Sequence, residues 1–105
     1  MDLIKVSGTS RTSAVAGAIA GVIREYQHAE VQAIGSQAVN QAVKALALAR
    51  RYLRRDALDI VVKPEFVDIT IDDKVRTAIR FYVDSHPSDV VYEEEEAQKK
   101  EALDS

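Results

Sequence analysis

The chain predicts an α/β two-layer sandwich: β-α-β-α-β-β, a mixed four-stranded sheet with both helices on one face. Three observations carry this. Residues 31–50, VQAIGSQAVNQAVKALALAR, join a short β-branched run to a long Ala-rich segment of helical period, with Gly35 at the junction. An earlier run, SAVAGAIAGVIRE from Ser13 to Glu25, has the same period. Residues 58–83 lose it and carry Val, Ile, Thr and Phe at strand spacing.

Leu3-Ile4-Lys5-Val6 forms the first strand, and the hydroxyl-rich segment Ser7 to Ser13 supplies a turn and several candidate helix N-caps. From Ala14 to Tyr26 the first helix carries an apolar stripe of Val15, Ile19, Val22 and Tyr26. Ala14, Gly17, Ala18 and Gly21 make a narrow second face. A helix-interior Gly costs about 1 kcal/mol against Ala, so this face predicts tight packing on the sheet, or a helix-to-helix contact between two copies. Ala29 to Ile34 is the second strand, central and parallel to the first through a right-handed crossover. The second helix runs from Ser36 to Arg54. Its inner stripe is Val39, Ala42, Val43, Leu46, Ala49 and Leu53; its outer stripe is Gln37, Gln41, Lys44, Leu48, Arg51 and Arg55.

Leu58 to Ile71 is one long, bent strand. Ile60 and Val62 point inward, and after Lys63-Pro64-Glu65 the parity switches to Val67, Ile69 and Ile71, so Pro64 marks a bulge or an edge position. Val75, Thr77, Ile79, Phe81 and Val83 alternate in the fourth strand. Keeping both inner faces together pairs Ile71 with Val75, Ile69 with Thr77 and Val67 with Ile79, and leaves a three-residue tip, Asp72-Asp73-Lys74.

At 105 residues the chain is one domain with a modest core of Val, Ile, Leu and Ala. It has no Cys, which excludes disulfides, thiolate metal sites and Cys nucleophiles. The longest apolar run, Ala14 to Ile23, is too short to span a bilayer, and no cationic leader precedes it, so a soluble cytoplasmic protein is expected. The net charge of −3 is unevenly spread. Residues 1–85, the folded domain, carry 12 Lys/Arg and 10 Asp/Glu; residues 86–105, an acidic tail read as mobile or weakly helical, carry 2 and 7.

Little in the sequence reads as catalytic. His28 and His86 lack ligand spacing and read as a helix-end and a solvated histidine; no metal or cofactor is expected. Asp72-Asp73 suits turn geometry. The loop Ser7-Gly8-Thr9-Ser10 opens onto a helix start but lacks the length and Lys of a P-loop. The remaining signal is basic. Arg50, Arg51, Arg54 and Arg55 crowd the end of the second helix, where cations complement the helix dipole by about 0.3–1 kcal/mol each, and where forked guanidinium groups also suit phosphate. Lys74, Arg76 and Arg80 form a row on the fourth strand, as phosphate contacts or as partners of neighbouring acids.

The segments AGAIAGVIRE, QAIG, NQAVKALALAR and DITID…RTAI closely resemble the bacterial stage V sporulation protein S family, over Leu3 to Val83. That family is Alba-like and is implicated in regulating spore development. The resemblance implies a small regulatory, non-enzymatic protein. Alba proteins are dimers that bind DNA or RNA through the first strand-to-helix loop, the start of the second helix and a β-hairpin arm. Carried over, these contacts fall on Ser7, Gly8, Thr9, Ser10 and Arg11, on Gly35, Ser36 and Gln37, and on the hairpin. Arg50 matches an Alba arginine further along the helix. The chain departs from its relatives at Asp73, usually Gly in the sporulation family, at Arg51 to Ala57, and in its acidic tail.

Two functional readings follow. In the first, a homodimer or higher homo-oligomer binds DNA or RNA without base readout through Arg11, Lys44, Arg50, Arg51, Arg54, Arg55 and Arg76, assisted by the loop amides, with the tail competing for the same surface. In the second, the chain is a protein-interaction module of a sporulation-like pathway, acting through Leu48, the small-residue helix face and Gln37, Asn40 and Gln41.

Overall fold

The computed structural model describes residues 3–88. The elements follow the expected order: β1 (Ile4–Val6), α1 (Thr12–Tyr26), β2 (His28–Ala33), α2 (Ser36–Leu53), a 3₁₀ turn (Arg54–Asp56), β3 (Leu58–Ile71) and β4 (Lys74–Pro87). The sheet order is β1-β2-β4-β3, with β1 and β2 parallel and the remaining pairs antiparallel. Residues 89–105, most of the acidic tail, lie outside the described residues.

Both helices cover one sheet face. Val6, Ala29, Val31, Phe81, Val83 and Ile60 meet Val15, Ile19 and Ile23 of α1 and Leu46 and Leu53 of α2 in a single core. Buried alanines (Ala16 and Ala20 on α1; Ala38, Ala42, Ala45 and Ala49 on α2) let the layers approach closely. The small-residue face of α1 is not the packed one. Ala14, Gly17, Ala18 and Gly21 face water, and a methyl group on Gly17 or Gly21 would meet nothing within 4 Å. Tyr26 and Val43, read as inner residues, are also exposed. The buried arc of α2 turns instead toward Ala38 and Ala45, on the side where α1 lies. Leu48, read as an outer residue, is partly buried against the core.

The hairpin corrects the expected register. β3 and β4 pair without a break from Leu58↔Pro87 to Ile71↔Lys74, so Ile71 faces Lys74 and Val75 faces Thr70. There is no bulge at Pro64. β3 is the outer strand, where a residue without an N–H is harmless, and of the two readings of Pro64 the edge position is the one found. The tip is a two-residue turn with Asp72 at φ 51° and Asp73 at φ 64°, the positive values a type I′ turn demands. β2 leaves β4 at Ala33↔Ile79. The five pairs from Val67↔Ala78 to Ile71↔Lys74 therefore form a two-stranded arm, projecting about 17 Å beyond the sheet.

Candidate nucleic-acid interface

The connectivity gives the molecule two unlike ends. β1 and β2 stop, both helices begin and the hairpin arm projects at the same end, the loop end. There Gly8 is pressed against the start of α2: a Cβ on Gly8 would lie 3.0 Å from Gln37 Cβ and Oε1, so a side chain there requires Gln37 to shift by a few tenths of an ångström. The loop is knitted by its own hydroxyls. The Ser7 amide donates to Ser10 Oγ at 2.9 Å, and Ser7 Oγ lies 3.1 Å from Thr9 Oγ1 and from Ser10 Oγ. These side chains thus close the loop and do not cap α1, whose N-cap, Arg11, makes no side-chain cap bond. Gln41 fastens the loop to α2, its Nε2 donating to Ser10 O at 2.8 Å and to Thr12 Oγ1 at 3.4 Å. Gly35, at φ 88°, turns β2 into α2 and brings Ser36 and Gln37 beside Gly8.

Ser7, Gly8, Thr9, Ser10, Arg11, Gly35, Ser36 and Gln37 therefore come together as one surface, with the arm and Arg76 at its side. The first-turn amides of both helices open at this end and favour negative charge. The cations are sparse. Arg11 and Arg76 are exposed, Lys44 stands two turns along α2, and Lys74 shares the tip with Asp72 and Asp73. The arm also presents apolar surface: Phe66 is 75% exposed and Val75 69%.

Arg50, Arg51, Arg54 and Arg55 lie at the opposite, arginine end, separated from Gln37 by most of an 18-residue helix about 27 Å long. Arg50 is held by Asp59, its Nε and Nη2 donating to the two carboxylate oxygens at 2.8 and 2.9 Å; the guanidinium bonds hold the Asp59 carboxyl below the usual range. Arg24 donates to Asp56 Oδ2 at 2.7 Å and to Tyr52 O at 3.1 Å, fixing the 3₁₀ turn to α1. Arg51 and Arg54 have interaction partners as well. The basic residues read as one set thus fall into two groups.

The uncovered sheet face holds contacts the sequence did not reveal. His28 opens β2 as a clamped side chain, not a solvated helix-end one: Nδ1 lies 2.7 Å from Asp84 Oδ1 and Nε2 3.1 Å from Glu30 Oε2. The bond to Asp84, then that to Glu30, raises its pKa above the ordinary value. Among the described residues Arg80 pairs with no acid but donates to Oε1 of Gln32 at 2.6 and 3.2 Å, satisfying a glutamine only 7% exposed. The alternation of these strands places the residues on one face, but which of them meet depends on cross-strand register, Gln32↔Arg80 and His28↔Asp84. Among the described residues no group of three or more His, Asp or Glu is placed to hold a metal ion, and no helix is long and apolar enough to cross a membrane.

The family model described as stage V sporulation protein S matches residues 2–86. The chain belongs to that family. Among solved structures it is similar to Alba from Thermoplasma volcanium, at 13% identity and a TM-score of 0.53, over 80% of this chain and 96% of that one. At that identity the likeness is one of fold, and it bears out the Alba-like architecture. Membership places the chain among small regulatory proteins. The matched region ends one residue short of Pro87, the last residue of β4, so residues 87–105 lie outside it.

Proposed function

We propose that this stage V sporulation protein S family member is a dimeric nucleic-acid-binding regulator that grips backbone phosphates at its loop end. The observation that carries the reading is the convergence of the Ser7–Arg11 loop, the start of α2 and the projecting arm on one end. Arg11, Lys44 and Arg76 supply the charge, while helix-start and loop amides supply directional donors. Contacts to backbone phosphates carry no base information, so binding of this kind is sequence-independent. Arg55, with Arg50, Arg51 and Arg54 engaged by partners of their own, offers at most secondary contacts at the other end of α2.

The test is fluorescence anisotropy of labelled duplex DNA and RNA at two salt concentrations, with the whole chain, an Arg11→Gln/Lys44→Gln/Arg76→Gln variant and an Arg51→Gln/Arg54→Gln/Arg55→Gln variant. The loop-end variant is expected to bind at least about tenfold more weakly, with a salt slope shallower by about 2–3. A larger loss from the arginine-end variant moves the site to the other end.

A second reading, a protein-interaction module, is favoured by one observation. Phe66 and Val75 present apolar surface on an arm whose tip is acidic. It predicts no polyanion affinity at low salt, and loss of self-association or partner capture on Phe66→Ser.

A further inference from the structure

We infer that the outer edge of the hairpin arm, Phe66 to Thr70, accepts an extended peptide segment as an added strand, with a Lys or Arg of that segment opposite Asp68. The first observation is where β3 directs its backbone. The two-residue turn makes Ile71 and Lys74 a hydrogen-bonded pair, and such pairs alternate along an antiparallel ladder. Odd-numbered residues of β3 therefore bond to β4, and even-numbered ones turn their N–H and C=O to the free edge. Two bonds fix the same parity from the other end. The Ser88 amide donates to Ala57 O at 2.9 Å, and the Ser85 amide turns away to Gln27 O at 3.0 Å.

The second is how unevenly that edge is guarded. Over the body of the sheet the outward amide of Ile60 donates to Asp59 Oδ1 at 2.8 Å, a carboxylate that Arg50 holds in place, and Pro64 has no N–H to offer. Val62 is left as an isolated donor between them. On the arm no such device follows. Phe66, Asp68 and Thr70 are exposed, and among the described residues nothing bonds their amides and no strand lies beyond them. β1, the opposite edge of the sheet, is only three residues long. An open edge is a template for pairing, and a short or blunted one is not.

The third is what flanks the open edge. Phe66, Asp68 and Thr70 project on the same side of the arm as Val75 and Thr77. That side holds exposed apolar surface and one carboxylate, to which the Thr77 hydroxyl donates at 3.2 Å; no cation among the described residues pairs with it. A second copy is the poorer occupant. Two arms paired antiparallel over their whole open edge centre on Asp68 and set like charges directly opposite, a destabilising cross-strand pair. A foreign segment running antiparallel to β3 instead places apolar residues beside Phe66, Val67 and Ile69 and a cation against Asp68. Lys74 and Arg76 stand on the other side of the arm, so the strand site is distinct from the cations of the proposed phosphate grip.

The test is amide exchange by NMR on the whole chain, with a synthetic peptide, Thr-Ile-Lys-Val-Tyr between glycine-serine flanks. At a peptide concentration equal to its Kd, exchange at the Phe66, Asp68 and Thr70 amides should slow about twofold. N-methylation of the peptide at Lys, whose N–H faces the arm, should abolish binding; N-methylation at Val, whose N–H faces away, should leave the affinity within about twofold. Asp68→Lys should weaken binding of this peptide at least about threefold and strengthen binding of its Lys-to-Glu counterpart comparably. No slowing at the three amides at millimolar peptide overturns the inference, as does binding indifferent to which amide is methylated or to Asp68→Lys. Slowing at the same amides with rising protein concentration and no peptide gives the edge to a second copy and overturns the choice of occupant. No nucleic acid is present, so failure here leaves the proposed function untouched.

Discussion

Replacing the hairpin tip by Asn-Gly, Asp72→Asn with Asp73→Gly, alters backbone strain and charge at one place. Both aspartates sit at positive φ, 51° and 64°, a region that Asp and Asn tolerate at a modest cost and Gly adopts with none. Relief of that conformation, set against the greater freedom glycine brings to the unfolded chain, gives about 0.5–1 kcal/mol. The gain stays local. Beyond Ala33↔Ile79 the arm pairs with no third strand among the described residues and frays without global unfolding, so thermal denaturation barely moves. Amide exchange should instead slow about two- to fivefold at hydrogen-bonded arm amides between Val67 and Ala78 and stay unchanged in β2. The charge effect is estimated separately. A carboxylate about 8 Å from a phosphate in water is repelled by about 0.5 kcal/mol, roughly halved by screening at 0.1 M salt. Two carboxylates each facing two phosphates give about 1 kcal/mol, so duplex affinity should rise about fivefold. Asp72→Asn/Asp73→Asn removes the same charge without the glycine and should give the affinity gain with a smaller change in exchange. Slower exchange in the Asn-Gly variant with duplex affinity unchanged within a factor of two would refute the placing of the arm in the interface.

The remaining predictions concern stability. His28 carries a raised pKa in the fold through Asp84 and Glu30, so its contribution is fully present below its unfolded value near 6.5 and is lost as pH rises through the folded value. Urea denaturation across that window should show stability falling with rising pH, and His28→Gln should flatten the slope. Asp59, depressed by Arg50, contributes above its unfolded value of 3.8 and loses that contribution as pH falls through the folded one; Asp59→Asn should weaken the fold at neutral pH and flatten the acid limb of the same measurement. Leu53→Ala, at a fully buried position under the end of α2, should cost about 2.7–5 kcal/mol in urea titration. Gly8→Ala should displace Gln37 and weaken duplex binding by anisotropy while the core remains intact by circular dichroism.

What the sequence disclosed depended on whether a second layer was there to impose a pattern. α1, α2, β2 and the 58–71 strand were legible because apolar residues recur where one face meets a core. The small-residue face of α1 carries an equally regular pattern, but its glycines touch nothing, and periodicity alone cannot say whether small residues mark contact or exposure. The arm is the clearest case. Matching inner faces put Ile71 opposite Val75, on the premise that apolar residues there share a side. Past Ala33↔Ile79 neither face has a helix to meet, so Val67 and Ile69 lie on one side, Phe66 and Val75 on the other, and the turn sets the register instead.

The same reasoning explains why the basic residues read as a single site. Helical spacing aligns Lys44, Arg51 and Arg55 on one stripe of α2 but carries no penalty for the distance between the ends of that stripe. Only the topology does. Because α2 starts where β2 ends and runs back along the sheet, residues near its N-terminus join the loops and the arm, while those near its C-terminus join the start of β3 and the end of β4. A site assembled from loops draws on the first group. The separation of Arg11 and Arg76 from Arg51, Arg54 and Arg55 therefore divides into two places a set that the linear chain presents as one, and the two triple variants test those places apart in a single titration.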